Sequence, residues 1–183
     1  MEIGIDNSKS MLKQLQRWLH FYFLKRKLKA HHMEHRATNL SEATDIGILF
    51  DASDPDKISI INTFADSLKR DRKKIVLLGF YNAPKKAINF NFSYFNKKNL
   101  NWHLEPQGDV VEEFIGRKFD ILINAYIGEN LPLEYVSSMS EASFRIGSFE
   151  KEKTYAYDFM IDLKGENNLQ QLMNQYRHFL EML

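Results

Sequence analysis

The sequence contains no cysteine. That absence excludes thiol nucleophiles, Cys-ligated zinc, iron–sulfur clusters and any disulfide framework at once, and it fits a reducing compartment. A long apolar run is also missing. The longest near the N-terminus, Trp18 to Leu24, is interrupted by His20 and closed by Lys25-Arg26-Lys27, far short of the roughly 20 residues that span a bilayer. Bases follow that run and no small-residue cleavage site does, so it does not read as a signal peptide, and the expected location is the cytoplasm. There is no G-x-G-x-x-G, no Walker loop, no G-x-S-x-G elbow and no H-E-x-x-H. Net charge is nearly absent: Lys+Arg 25 against Asp+Glu 24 leaves +1, which by itself indicates neither a nucleic-acid binder nor an acidic tail.

That neutrality conceals a split. Residues 8 to 36 carry eight bases and one acid, a local +7, whereas residues 37 to 183 carry 17 bases and 21 acids, −4. A chain of 183 residues, 44% hydrophobic and 27% charged, is an ordinary ordered composition, long enough for one domain plus an appendage without a disulfide or metal staple. The expected division is a basic N-terminal helix and connector over 1–43 and an α/β domain over 44–183.

Residues 8 to 31 hold no Gly or Pro, and Leu12, Leu15, Leu19, Tyr22 and Phe23 recur at helical spacing, which predicts an amphipathic helix capped by Asn7 or Ser8. Three readings of it stay open. It docks its apolar stripe on the domain and leaves its bases in water. Alternatively, Lys13, Arg17, Lys25, Arg26, Lys27 and Lys29 contact the phosphates of a polyanion such as RNA or the ribosome, with Trp18, Tyr22 and Phe23 packing or stacking. Or it lies in an anionic membrane surface. His31 and His35 have the i, i+4 spacing of a chelate, but only Glu34 stands near as a further ligand, so no metal site is expected.

From residue 45 short apolar runs alternate with helical patterns. Ile46–Phe50, Ile75–Phe80, Phe119–Asn124, Phe144–Gly147 and Asp158–Leu163 read as strands. Helices are expected after Asp54-Pro55, at Asp109 as a cap, from Leu131, and over Leu169 to Leu183, whose three-four spacing is the clearest of all. Phe90, Phe92 and Tyr94 alternate with polar residues, which suggests an extra or edge strand; residues 95 to 102 read as a loop. The expected fold is α/β: a single doubly wound (Rossmann-like or flavodoxin-like), mostly parallel sheet of five to six strands behind the basic helix.

Ligands of open α/β sheets sit at the carboxyl ends of the strands. The polar residues there, Asp51, Ser53, Asn124, Ser148 and Lys164, form the candidate ligand edge. Asp51, Ser148 and Lys164 echo the polar corner of a phospho-acceptor receiver, but the third strand ends in Asn124 and Asp120 lies at its other end, roughly 13 Å away. The aromatics between 80 and 102 interleave with Lys85, Lys86, Lys97 and Lys98. Alternating aromatics in a strand are more often core than a base-stacking surface.

The basic leader together with Ile46-Gly-Ile-Leu-Phe-Asp51, Leu78-Gly-Phe80, Tyr94-Phe-Asn-Lys-Lys-Asn-Leu-Asn-Trp102, Phe119-Asp-Ile-Leu-Ile123, Leu131-Pro-Leu133 and Phe144-Arg-Ile-Gly147 resembles an uncharacterised bacterial family known only as a domain of unknown function. The resemblance covers nearly the whole chain. It implies a one-domain α/β protein with a basic leader and assigns no residue a catalytic role. The segment Asn99 to Trp102 is explained by neither composition nor periodicity. The chain therefore reads as a binding protein rather than an enzyme, without cofactor or catalytic residues. The alternatives are a small-ligand binder or transferase-like enzyme at the strand edge, and a peripheral membrane or partner-docking protein.

Overall fold

The computed structural model describes residues 3–31, 33–84 and 90–183, except for the side chains of residues 3–9. Helix α1 (Ile3–Leu28) leads through an irregular connector to strand β1 (Asp45–Asp51). The Asp54 carboxylate accepts the Asp56 N–H and Pro55 takes the first helical position, which starts α2 (Pro55–Arg70). Strands β2 (Lys74–Tyr81) and β3 (Ser93–Asn96) follow, then a 3-10 turn at Lys97–Asn99, α3 (Asp109–Ile115) and β4 (Ile121–Ala125). Asn130 caps α4 (Leu131–Met139), which leads to β5 (Phe144–Ser148) and β6 (Phe159–Ile161); Asn168 caps α5 (Leu169–Met182).

All six strands are parallel, in the order β3-β2-β1-β4-β5-β6. That is the order of doubly wound dinucleotide-binding sheets, with its reversal between β1 and β4. The near-continuous apolar runs of β1 and β4 are what burial on both faces demands. Ile46, Ile48, Phe50, Ile121 and Ile123 form one core with α2 and α5, whereas Leu49, Leu78 and Leu122 form a second core with α3 and α4. The expected α/β sheet of five to six strands thus has six.

Several local expectations give way. Asn7 and Ser8 lie within α1 rather than at its cap. Gly108 precedes α3 without any side-chain cap bond, and Asp109 is the first helical residue. Phe90 and Phe92 stack on each other at 4.7 Å between centroids instead of alternating, so β3 begins only at Ser93 and takes in Phe95 and Asn96 from the expected loop. Lys85, Lys86, Asn89 and His32 lie outside the described residues. Because α1 ends at Leu28, His31 and His35 are not on a helix; His35 faces Asp158 instead.

Two buried polar assemblies hold α4 in place. Arg145 on β5, 5% exposed, pairs with Asp158 at 2.8 Å and donates to the carbonyls of Ser137, Ser138 and Tyr155. It thereby satisfies two carbonyls of the last turn of α4. Glu134, fully buried, accepts from Lys153 at 2.6 Å, from the Tyr155 hydroxyl at 2.8 Å and from the Asn130 N–H at 2.8 Å.

Candidate functional site

The strand order reverses between β1 and β4, and the carboxyl edge there is the natural place for a ligand. Its residues are largely tied to each other. Asp51 accepts the Ser53 N–H at 3.0 Å, and the Ser53 hydroxyl accepts the Asn82 N–H at 3.0 Å, which joins the ends of β1 and β2. Ser148 is buried and donates to the Tyr126 carbonyl. Asn124, fully buried, donates to the Ile146 carbonyl at 3.0 Å, while its Oδ1 has no partner among the described residues. Lys164 sits in an exposed left-handed turn (φ 53°), its N–H bonded to Asp162.

Two cavities meet at the Glu129–Asn130 loop. The smaller, about 120 Å³, includes Asp51, Lys57 and Tyr126. The larger, about 410 Å³, has Phe80, Leu104 and Pro132 as apolar lining and Asn82, Lys97 and Asn101 as polar lining. Helix α1 contributes Gln16 to this wall, and the helix is held over it by two contacts: Gln16 donates to the Trp102 carbonyl at 2.7 Å, and Arg17 pairs with Glu129. Ser148 and Lys164 line neither cavity.

The underside of α1 is polar. His20 is buried, and its Nδ1 donates to the His103 carbonyl at 3.0 Å. Lys27 reaches Glu105 at 2.5 Å and donates to the Tyr135 hydroxyl at 3.0 Å. Leu24, 2% exposed, packs between these levels, and the ring of Phe23 lies 4.6 Å from that of His103. The spacing of four and three residues from His20 to Leu24 to Lys27 puts them on one face. Residues 99 to 105 are shaped to receive that face. Asn101 Oδ1 accepts the N–H groups of both His103 and Glu105, so this loop presents its carbonyl and carboxylate to α1. The Asn99–Trp102 segment is therefore a brace for the helix. Sequence alone flags it only as a polar and aromatic stretch with no other explanation.

Burial pushes the His20 imidazole below its ordinary value, against the opposing pull of the His103 carbonyl and of Glu134 and Glu105. Burial would also raise Glu105, but Lys27, Tyr135 and His103 outweigh it and hold the carboxyl low. Lys27 is raised: burial works against it, and Glu105 and Tyr135 win. The seam is thus a neutral histidine beside a charged Lys–Glu pair.

The outer side of α1 is apolar. Met11 (69% exposed), Leu15 (51%), Trp18 (61%) and Tyr22 (52%) stand in water, and at 3.6 residues per turn they fall within roughly 60° of one another, opposite His20. Trp18 and Tyr22 stack at 5.7 Å, and Leu12 is exposed beside them. This corrects the expectation that the stripe of Leu12, Leu15, Leu19, Tyr22 and Phe23 docks on the domain. Of those five, Leu12, Leu15 and Tyr22 are exposed, Leu19 is half-buried and Phe23 packs against the seam loop. Residues 10–15 are exposed all round, so that stretch of the helix stands clear of the body.

The six cations singled out from the sequence divide accordingly. Arg17 and Lys27 are committed to Glu129 and to Glu105 with Tyr135. Lys13, Lys25, Arg26 and Lys29 are exposed, with no ion pair among the described residues. Lys25, Arg26 and Lys29 continue the outward apolar stripe toward the end of the helix, within about 50° of its midline. Of the aromatics of 80–102, Phe80 and Phe95 are buried and stacked at 5.0 Å, Tyr81, Phe90, Phe92 and Tyr94 are half-buried, and Trp102 is exposed. Among the described residues no group of three or more His, Asp or Glu could hold a metal ion. No helix among them is long and apolar enough to cross a membrane.

No curated protein and no solved structure matches the chain. A family model does match, over residues 17–183, from the docked half of α1 to the last residue of the sequence. The resemblance seen in the sequence motifs is therefore real, and the chain belongs to DUF6913, a family of unknown function.

Proposed function

We propose that the protein is a non-enzymatic binding protein that engages an anionic partner through the outer face of α1, with the α/β body as its platform. The observation that carries this reading is the outer face of α1, where Met11, Leu15, Trp18 and Tyr22 stand in water while His20, Leu24 and Lys27 make the contacts to the body. A helix that buries His20 and ties Lys27 to Glu105 while leaving Met11, Leu15, Trp18 and Tyr22 in water forgoes several kcal/mol of burial, on the order of 1.5–3 for each large apolar side chain. An external partner on that face accounts for the arrangement. The free bases Lys25, Arg26 and Lys29 along that face specify the partner's sign, and RNA, the ribosome and an anionic membrane surface all satisfy it. The cysteine-free sequence suits a cytoplasmic setting.

The test is cofractionation from cells of the full chain beside Leu15→Glu and Trp18→Glu variants, at low and high salt. Both substitutions fall on exposed positions. The reading expects the native chain to travel with a large partner at low salt and each variant to lose it; unchanged migration of both variants overturns it.

A second reading rests on the 410 Å³ cavity beside the point of strand reversal. Its volume suits a small ligand, and Asn82 and Lys97 have no side-chain partner among the described residues. This reading makes the body a small-ligand binder, testable by a metabolite thermal-shift series, in which a ligand at a hundred times its Kd adds about 2.7 kcal/mol.

A further inference from the structure

We infer that the partner of the outer face of α1 is an anionic lipid surface, on which the helix lies with its apolar stripe in the interfacial layer. The inference rests on the docking role proposed above and names the occupant. Three observations select lipid.

The first is shape. Residues 10–15 are exposed all round and the stripe continues through Trp18 and Tyr22, so the apolar surface is a convex ridge on a single projecting helix. A bilayer interface accepts such a ridge without a complementary groove. The second is composition along the ridge. Met11, Leu12 and Leu15 offer aliphatic surface that a nucleic acid does not use, and the stacked Trp18–Tyr22 pair is the residue type that settles at the headgroup level. The third is charge. Residues 7 to 33 contain no acid, so a second copy laid along this face would set bases against bases with nothing to pair them. An anionic headgroup layer complements Lys25, Arg26 and Lys29 on that face, each adding roughly fivefold to partitioning at low salt. The inner face, held by His20 and Lys27, leaves the body attached as the ridge inserts.

The experiment sediments the purified full chain with vesicles of phosphatidylcholine alone and of phosphatidylcholine with phosphatidylglycerol, beside a labelled single-stranded RNA, at two salt concentrations. Trp18 emission is read in a Trp102→Phe background, since the sequence has only two tryptophans. The expected result is binding to the phosphatidylglycerol vesicles, with a blue shift of Trp18. Leu15→Glu should weaken binding at least about tenfold. A combined Lys25→Gln, Arg26→Gln, Lys29→Gln variant should lose on the order of a hundredfold. Thermal melts of the variants should match the parent, because these side chains touch little of the body.

RNA binding that survives Leu15→Glu, with no vesicle binding, overturns the lipid inference. So does a purified chain that ignores both vesicle types while Leu15→Glu still abolishes cofractionation in cells, an outcome that keeps the docking role with another partner. Absence of vesicle binding together with unchanged cofractionation of Leu15→Glu overturns both.

Discussion

Arg145 shows how much one buried side chain carries here. It neutralises Asp158 and accounts for the carbonyls of Ser137, Ser138 and Tyr155. Arg145→Met would leave a carboxylate and three carbonyls short of donors, and the expected cost is about 3–5 kcal/mol in a urea titration. Adding Asp158→Asn should recover part of that loss, because the stranded charge is then gone; a double variant no better than the single one would place the loss in the α4 carbonyls instead. Gly147 is a second single-residue constraint. A Cβ there would lie 2.7 Å from ring atoms of Tyr157, a buried ring whose hydroxyl is bonded to Tyr126. Gly147→Ala should therefore cost about 1–3 kcal/mol through overpacking, read as a lowered midpoint with an unchanged denaturant slope. The motif Phe144-Arg-Ile-Gly147 was visible in the sequence, yet neither role was, since Asp158 and Tyr157 arrive from thirteen and ten residues downstream of Arg145 and Gly147.

Among the elements, α1 is where sequence and structure part company most. Periodicity finds the helix but cannot say which side turns inward, because that was decided by His103, Glu105 and Tyr135, some 78 to 108 positions further on. The seam has a pH signature. The pKa of His20 is lower in the folded state than its ordinary 6.5, so its contribution to docking is fully present above that value and declines as pH falls below it. The carboxyl of Glu105, held below its ordinary 4.5, contributes above that value and fails in a second, more acidic window. His35, lowered by burial and by Arg145, acts in the same direction as His20. Protection of the amides of residues 16–28, taken relative to their intrinsic exchange rates, should therefore fall between neutral pH and about pH 5. A His20→Gln variant should flatten that dependence; an equally steep profile in the variant would assign it to His35. In contrast to α1, helices α2 and α5 were legible in most of their inward positions, although Ile58 and Phe179 are half-buried and Leu183 is exposed. Ile61, Phe64, Ala65 and Leu68, and Leu169, Leu172, Met173, Tyr176 and Leu180, are buried as their spacing requires.

At the level of the whole molecule, alternation of strands and helices announced a doubly wound sheet, but the order β3-β2-β1-β4-β5-β6 could not be read from it. Strand order is set by which apolar runs tolerate burial on both faces, and β1 and β4 qualify only once their neighbours are in place. The same limit applied to the carboxyl edge. Asp51, Ser53, Asn124 and Ser148 were correctly placed at strand ends by pattern, whereas their mutual bonds depend on Asn82, Ile146 and Tyr126. The division of α1 into a projecting and a docked half gives a whole-chain prediction. Removing residues 1–15 should leave the melting temperature nearly unchanged, because residues 10–15 are exposed. Removing residues 1–28 should lower it by several degrees, because Glu105 then loses Lys27 and the His103 carbonyl loses His20; equal melts would show that the seam adds no stability. One further consequence follows from Gln16 and Arg17, which belong to the helix yet hold the rim of the larger cavity. A solute that fills the cavity and gains from that rim must favour the seated helix. By reciprocity anything that lifts the helix must weaken the solute by the same factor, so the protein's two faces are thermodynamically one system.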